Sequence, residues 1–306
     1  MKQGSAAGTG EAPVSSAETG EPRKTFRFDD DVLISYETEG DGPAPVVFLH
    51  GFAAGLITWH DIRPLFPASL FRLYLLDLKG FGFSSKPADG RYAPEDHAAI
   101  VVSFMEELGL RHVILIGHSL GGGIALLALK MALAAGKRDL VEGLVLIDCA
   151  AYPQRLPRIM RLMRVPLLGR AILRLLPVRF MVFYSLNHVF SDKKTITSER
   201  IARYMTCFGR EGIARVFAET SRLLAPAKYA SLSGFYQRMD IPTLIIWGEE
   251  DRFINIRNGR RLAGEIPSSR LVVITGCGHN PHEERPAETY AAIAEYLEVF
   301  HSRKLQ

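Results

Sequence analysis

Six short apolar runs, separated by segments with a helical pattern, constrain the fold of this chain more than any other feature. They are rich in Leu and β-branched residues and lack polar alternation, which is typical of strands buried on both faces of a parallel sheet. They occupy positions 46–49, 74–76, 113–116, 144–147, 243–247 and 271–274. An additional strand pair is predicted over 25–29 and 32–38, with an Asp-rich turn between them.

Three helical patterns lie between or after these runs. Residues 94–108 carry apolar side chains at the i, i+4, i+8 spacing of one helix face, and residues 121–133 are apolar nearly all round. Residues 286–300 form an amphipathic pattern with proline at its first turn. The alternation predicts an α/β fold with a doubly wound, mostly parallel sheet and right-handed crossovers.

Residues 151–240 interrupt the alternation. They contain no convincing buried strand and read as several helices broken by prolines, which predicts an inserted helical subdomain. The α/β body is then formed by residues 25–150 and 241–306. Residues 1–24 are rich in Gly, Ser, Ala, Thr, Glu and Pro, and they are expected to form a flexible tail.

The sharpest motif is Gly117-His118-Ser119-Leu120-Gly121, which follows one apolar run directly and precedes a helical segment. A strand that turns so tightly into a helix strains the backbone of the serine, and side chains two residues to either side would collide. The serine oxygen would stand at the carboxyl edge of the sheet, over a helix N-terminus that favours developing negative charge. The motif predicts Ser119 as a nucleophile.

A serine hydroxyl attacks well only when a base removes its proton, and a histidine oriented by a carboxylate does this. Two later apolar runs end in candidates, one in Asp251 and the other in a glycine-flanked His279. The order Ser119, Asp251, His279 is that of hydrolases with a nucleophile elbow. Asp148, which follows another apolar run, is the alternative acid.

Attack by Ser119 would create an oxyanion that needs two preorganised donors. One donor is expected to be the backbone N–H of Leu120. The other is assigned to the backbone N–H of Phe52, in the loop after the first parallel strand.

Four further residues are expected to support the site without reacting. His50 would brace the loop before Phe52, and Gly51 would let its backbone approach the nucleophile. His118 flanks the serine, and His282 lies three residues beyond the proposed base.

Taken together, these motifs resemble the α/β-hydrolase superfamily, and within it the capped, esterase- or lipase-like members with a serine nucleophile. The resemblance covers about residues 25–300 and includes the turn from Asp77 to Ser84, where Lys79 stands in place of a more usual proline. It implies that residues 151–240 are a helical cap that roofs the active site. It also implies that the reaction needs no metal and no organic cofactor.

Serine at position 119 disfavours the dehalogenase and epoxide hydrolase reactions of relatives that carry aspartate there. Hydrolysis of a carboxylic ester or thioester with a hydrophobic acyl group, through an acyl-serine intermediate, is the predicted reaction. Two alternatives stay open. One is carbon–carbon bond hydrolysis of ring-fission products, whose enzymes keep the same three residues, and the other is a non-enzymatic receptor or interaction role on this fold.

Charge is distributed unevenly along the chain. The net charge of +4 is too weak to predict nucleic-acid binding. Residues 151–240, however, hold 16 Lys or Arg against 5 Asp or Glu, a net charge of +11, so the remainder carries −7. Within this region, the spacing of arginines opposite apolar residues predicts a basic amphipathic helix from 155 to 164.

This basic subdomain is expected either to face water or to dock on an anionic partner, such as a membrane surface or an acidic acyl carrier. The expected substrate is a small-molecule or lipid-like acyl ester. Three widely spaced cysteines, Cys149, Cys207 and Cys277, favour a reducing compartment and argue against zinc or disulfides. No secretory signal or spanning segment is apparent, so we expect a cytoplasmic protein, peripheral at a membrane if the basic subdomain docks there.

Overall fold

The computed structural model describes residues 23–153, 176–208, 211–223 and 232–304. Its strands are β1 (Lys24–Arg27), β2 (Leu33–Glu39), β3 (Ala44–Leu49), β4 (Phe71–Leu76), β5 (Val113–His118), β6 (Val141–Ile147), β7 (Thr243–Gly248) and β8 (Ser269–Ile274). They form one sheet in the order β1-β2-β4-β3-β5-β6-β7-β8. β2 is antiparallel to β1 and β4, and every other pairing is parallel. The predicted α/β class is confirmed, and all six apolar runs lie within strands.

The helices are α1 (Pro94–Glu107), α2 (Leu120–Ala134), α3 (Val178–Val189), α4 (Ser198–Phe208), α5 (Ile213–Leu223), α6 (Ser233–Tyr236), α7 (Arg257–Glu265), α8 (Pro281–Glu284) and α9 (Pro286–Lys304). Helices α1, α2 and α9 confirm the three predicted patterns. Helices α3 to α6 form an insertion between β6 and β7, and its described residues contain no strand. The basic amphipathic helix predicted over 155–164 lies outside the described residues.

Local sequence explains where these elements begin. Helix α1 begins with a proline, whose fixed φ suits a first turn. The Asp96 carboxylate then accepts the N–H of Ala93 at 2.8 Å, which satisfies a donor just ahead of the helix.

Apolar side chains of the central strands pack on both faces of the sheet. Along β5, Val113 and Leu115 belong to one core cluster, and Ile114 and Ile116 belong to the other. Because successive side chains of a strand point to opposite faces, an apolar run without alternation can fill both layers. This explains why the central strands could be predicted from the apolar runs in the sequence.

The sequence prediction was wrong for β8, which is not buried on both faces. Val273 is 37% exposed, and Leu271 and Val272 are only partly buried. Among the described strands, β8 is at the edge of the sheet and pairs only with β7, so one side of it has no neighbouring strand there.

A buried arginine of the insertion anchors helix α4 to the α/β body. Arg200 donates to the Asp61 carboxylate and to the carbonyl of Glu283 at 3.1 Å, and its Nε lies 3.5 Å from Oε1 of Glu283. One turn along α4, the Tyr204 hydroxyl donates to Oε2 of Glu283 at 2.6 Å. Burial raises the pKa of Glu283 to about 7, although Arg200 opposes this shift.

Two further expectations concern cysteines and membranes. The thiols of Cys149, Cys207 and Cys277 are all buried and none forms a disulfide, as the sequence predicted. Over the described ranges, every helix is too short or too polar to cross a bilayer.

Replacing Arg200 by Met should lower the free energy of unfolding by about 3 kcal/mol, because it leaves the buried Glu283 carboxylate without its cation. Urea unfolding followed by circular dichroism measures the loss. Arg270→Met is the matched control, since its ion pair with Glu295, at 2.5 and 2.8 Å, is exposed to solvent, which screens it, so its loss should change the free energy of unfolding little. Equal losses in the two variants would contradict the anchoring role of Arg200.

Candidate active site

Ser119 occupies a strained turn between β5 and α2. Its φ is +51° and its ψ is −115°, a region that residues other than glycine seldom adopt. Backbone hydrogen bonds hold it there: its N–H donates to Ile147 at 2.9 Å, and its carbonyl accepts from Gly122 at 3.1 Å and Ala150 at 2.9 Å. The strain is therefore maintained by β6 and α2 on either side of the serine.

The glycines of the motif permit two close backbone approaches. A Cβ at Gly121 would come within 2.1 Å of the Leu49 carbonyl oxygen at the end of β3, and a Cβ at Gly117 would come within 2.5 Å of the Gly121 carbonyl oxygen. Side chains at these positions would force α2 away from the sheet, as the sequence argument predicted.

The structure brings Ser119, His279 and Asp251 together. His279 Nε2 lies 3.0 Å from Ser119 Oγ, and His279 Nδ1 lies 2.7 Å from Asp251 Oδ2. A carboxylate only accepts, so Nδ1 carries the proton and Nε2 is left to accept from the serine hydroxyl. All three residues are buried, with 3–6% of their surface exposed.

Asp251 is held in its ionised form. Burial opposes ionisation, but the charge and hydrogen bond of His279 outweigh it and keep the pKa of Asp251 below its usual value. The second oxygen accepts the N–H groups of Phe253 at 2.7 Å and Ile254 at 2.9 Å. These bonds fix the carboxylate in the plane where it meets the imidazole.

Asp148, the alternative acid, lies beside this pair, and the structure connects Asp251 rather than Asp148 to the imidazole. Asp148 is fully buried, with φ at +42°, and its Oδ1 accepts the N–H of Gly248 at 3.1 Å. Burial and the charge of Asp251 raise the pKa of Asp148 well above its usual range. Ionising two neighbouring buried carboxylates is unfavourable because their charges repel each other. The proton therefore stays on Asp148.

Asp148, Asp251 and His279 also form a possible metal-binding group, since one ligand atom of each lies within 4.8 Å of the others. The donor chemistry does not fit such a role. Both nitrogens of His279 are already engaged, one by Asp251 and the other by Ser119, and a cation would have to displace one of these hydrogen bonds. A metal ion at this position would therefore break the hydrogen-bonded path from Ser119 to Asp251.

The loop predicted to supply a donor lies against Ser119. His50 Nε2 accepts the N–H of Leu78 at 2.9 Å, and its Nδ1 donates to the carbonyl of Gly51 at 2.8 Å. A Cβ at Gly51 would lie 3.3 Å from that of Ser119 and 2.9 Å from His118 Nδ1. His50 thus braces the loop, and Phe52 follows directly at the point of closest approach.

His118 and His282 stand behind the imidazole of His279. His118 Nε2 donates to the backbone carbonyl of His279 at 2.8 Å, and the His118 ring lies 4.6 Å from that of His282. His282 in turn packs on Trp59, with ring centres 4.5 Å apart. Burial lowers the pKa of His118 well below its usual value and that of His282 to about 3, so both rings are neutral.

Sequence reasoning missed two residues that shape the loop of His279. The Glu284 carboxylate accepts the N–H groups of Gly278 at 2.9 Å and Ser191 at 2.8 Å, which ties this loop to the chain after α3. The Phe253 ring lies 4.9 Å from the His279 ring. Only their closeness in sequence to His279 and Asp251 could have indicated them.

The turn from Asp77 to Ser84 is structural, as the resemblance implied. Asp77 accepts the N–H groups of Leu56 and Phe83, each at 2.8 Å, and its carbonyl accepts the Ser84 hydroxyl at 2.6 Å. Lys79, the departure from the usual pattern, is buried and paired with Asp89 at 2.5 Å, so the turn tolerates it.

Aromatic rings line the approach from the loop to the insertion. The Phe52 ring lies 5.2 Å from Phe217 of α5 and 5.8 Å from Phe81. Phe208 of α4 lies 5.4 Å from Phe217. The insertion thus presents apolar rings to the loop that lies against Ser119.

Asp251→Asn should lower kcat by about 10⁴-fold, because it removes the acceptor that orients His279. Asp148→Asn should change kcat by less than about tenfold, because an amide reproduces the size of the neutral acid and can still donate a hydrogen bond. Steady-state kinetics of the two variants on one activated ester decide the roles. A larger loss in Asp148→Asn would assign the catalytic acid to Asp148 instead.

Gly121→Ala should lower the free energy of unfolding by about 1–3 kcal/mol and displace Ser119, because the methyl group meets the Leu49 carbonyl. Gly264→Ala in α7 is the control. Nothing lies within 4 Å of a Cβ there, so it should stabilise the helix by up to about 1 kcal/mol. Thermal unfolding and activity are measured for both, and a neutral Gly121→Ala would contradict the close approach.

Comparison with known proteins identifies the family. The family model described as alpha/beta hydrolase fold matches residues 44–286. The uncharacterized hydrolase YugF of Bacillus subtilis is 30% identical over 88% of this chain and 95% of its own length. The 2-hydroxymuconate semialdehyde hydrolase of Pseudomonas sp. is 28% identical over 83% of this chain and 86% of its own.

Solved structures agree on the fold. A thermophilic esterase from Thermogutta terrifontis has a TM-score of 0.74 and 24% identity, and the match covers 91% of this chain and 99% of that one. The family match spans most of the chain, and its strand–serine–helix turn is present in the structure. The chain therefore belongs to the α/β hydrolase fold family.

Proposed function

We propose that this protein is a serine hydrolase that cleaves a carboxylic ester or thioester with a hydrophobic acyl group. The observation that carries the proposal is the continuous hydrogen-bonded path from Ser119 Oγ through His279 to Asp251, with links of 3.0 and 2.7 Å. This arrangement activates a serine for acyl transfer.

In the first half-reaction, His279 Nε2 takes the proton of Ser119 Oγ as that oxygen bonds to the substrate carbonyl carbon. The Asp251 carboxylate stabilises the imidazolium that forms. His279 then returns the proton to the departing alcohol or thiol, which leaves an acyl-serine. In the second, His279 deprotonates a water that attacks the acyl carbon, and the carboxylic acid leaves as Ser119 regains its proton.

The oxyanion of both tetrahedral intermediates is assigned to the backbone N–H groups of Leu120 and Phe52. Leu120 begins α2, so its N–H belongs to the first turn, which has no intrahelical acceptor. The close approach of Gly51 to Ser119 supports the second assignment, because Phe52 is the next residue. Two fixed backbone donors at this position would stabilise the developing charge without reorganisation.

Residues 151–240 are proposed to be a cap over the body formed by residues 25–150 and 241–306. Two contacts of its described helices support this. Phe217 of α5 packs on Phe52, and the carbonyl of Val189 at the end of α3 accepts the N–H of His279 at 2.7 Å. The cap thereby meets both sides of the site, and its rings offer an apolar surface to an acyl chain.

Carbon–carbon bond hydrolysis of ring-fission products is the second candidate. The 28% identical hydrolase of 2-hydroxymuconate semialdehyde supports it, and the same three residues would serve. A receptor or interaction role on this fold is the non-enzymatic alternative. Covalent labelling by a fluorophosphonate probe discriminates it, because only an activated serine reacts.

Ser119→Ala should lower kcat on p-nitrophenyl butyrate at least about 10⁴-fold and abolish labelling, because no other group replaces the nucleophile. Ser103→Ala on α1 is the control, since that hydroxyl donates to Glu107 on the protein surface at 3.1 Å, and it should leave both readouts unchanged. Retained hydrolysis in Ser119→Ala would refute the proposed mechanism.

A substrate panel then discriminates the reaction classes. It contains p-nitrophenyl esters from acetyl to palmitoyl, the matching acyl-coenzyme A thioesters and a ring-fission dienoate. The aromatic lining predicts that kcat/KM rises by about tenfold or more from acetyl to a medium chain, because each buried methylene contributes about 0.8 kcal/mol. Higher kcat/KM for the dienoate than for every ester would replace the proposal by carbon–carbon hydrolysis.

A further inference from the structure

Helix α3 of the insertion exposes an apolar face, and Leu176, two residues before the helix, is exposed as well. Leu176 is 40% exposed, Phe180 53%, Phe183 48% and Tyr184 46%. These four are the majority of the large exposed apolar side chains in the described residues, where the others are Leu65, Leu70 and Val273. We call Leu176, Phe180, Phe183 and Tyr184 the α3 face.

The α3 face is a distinct side of the helix. Val182 and Leu186 point to the opposite side and are buried, at 0 and 1% exposure. Phe180 and Tyr184 stack with their ring centres 6.4 Å apart and their planes 24° apart, so these two exposed rings lie side by side along the helix. Aromatic rings that are exposed on the outer side of an amphipathic helix are unfavourable in water. Packing within the protein does not explain why they lie there.

Positive charge accompanies this face in sequence. The segment 154–175, which leads directly into α3, contains six arginines and no Asp or Glu. Arg179 lies within α3 and is exposed, and Lys193 and Lys194 follow shortly after the helix. Arg and Lys close in sequence to exposed aromatic residues are typical of helices that lie in the headgroup layer of a membrane.

We propose that the α3 face docks on the headgroup layer of an anionic lipid bilayer. A bilayer takes up the rings in its interfacial region and neutralises the arginines with lipid phosphates at the same time. A second copy of this chain would bring two basic segments together, which repel each other. An acidic protein would pair with the positive charges, but it would also need an apolar groove to bind the exposed rings.

The position of α3 connects the docked surface to the active site. Val189, the last residue of α3, accepts the N–H of His279, and the next turn is tied to Glu284 through Ser191. Five residues of helix separate Tyr184 from Val189, a distance of about 7.5 Å. A bilayer on the α3 face would therefore contact the helix whose last residue holds the backbone of His279. The docking itself does not depend on the proposed hydrolysis.

The test uses the full chain with vesicles of phosphatidylcholine alone and with about one third phosphatidylglycerol. Cosedimentation should show at least about tenfold stronger partitioning to the anionic vesicles. Raising NaCl from about 0.05 to 0.5 M should remove most of this preference, because the Debye length falls several-fold. Equal binding to both vesicles, or no binding, would overturn the proposal. Repeating the measurement with Ser119→Ala separates docking from the reaction.

The variant Phe180→Ser, Phe183→Ser, Tyr184→Ser should reduce partitioning by about 100-fold, since three rings lose their interfacial contact. The matched control, Leu65→Ser, Leu70→Ser, Val273→Ser, removes the same number of exposed apolar side chains elsewhere and should bind as the parent does. Similar binding of both triple variants would overturn the assignment of the surface. Gel filtration is run in parallel, and a dimer lost only in the α3 variant would identify a second copy as the occupant.

A fluorescent reporter gives an independent measurement. The chain has two tryptophans, Trp59 and Trp247, and both are fully buried. Phe183→Trp adds an exposed ring on the α3 face without altering the packed side of the helix. Its emission should shift to shorter wavelength on anionic vesicles and be quenched by brominated lipid. Emission unchanged by vesicles that bind the protein would place the contact elsewhere and overturn the proposal.

Discussion

The turn at Ser119 is the constraint on which the rest of the site depends. Its backbone lies in an unfavourable region, at φ +51°, and is held there by hydrogen bonds to β6 and α2. The turn closes only because Gly121 lets α2 approach the end of β3 within a distance that no side chain permits. The free energy of packing the sheet and α2 thus offsets the local strain and fixes the serine oxygen at the sheet edge.

The second constraint is electrostatic, because two buried carboxylates stand beside one imidazole. Asp251 accepts two backbone N–H groups and the Nδ1–H of His279, whereas the one backbone donor to Asp148 among the described residues is the N–H of Gly248. The carboxylate that accepts more hydrogen bonds from the protein carries the negative charge, and the other one keeps its proton. Which of the two carboxyl groups is ionised therefore depends on backbone donors in the loops. Residue types alone do not reveal these donors.

This explains what could be predicted from sequence and what could not. The central strands and the turn at Ser119 were predictable because each depends on local residue types. A strand buried on both faces needs apolar residues throughout, and the tight turn needs glycines. The exposure of β8 was missed because strand order is a property of the whole sheet. The clamp of Arg200 on Glu283 and the tie from Glu284 to Ser191 were missed because their partners lie about 80 to 90 residues apart in the chain.

We propose that the body of the fold carries the chemistry and that the insertion controls access to it. The body holds Ser119, His279 and Asp251 in place through its backbone geometry. Their arrangement is therefore the same for any substrate. The insertion contacts this machinery at Val189 and Phe217, and it also carries an unusual density of positive charge and the exposed rings of α3. Arg200 uses one of these charges to hold α4 to the body, whereas the exposed rings of α3 lie on the side of the helix opposite its buried residues. These rings are therefore better explained by the proposed contact with a membrane than by folding.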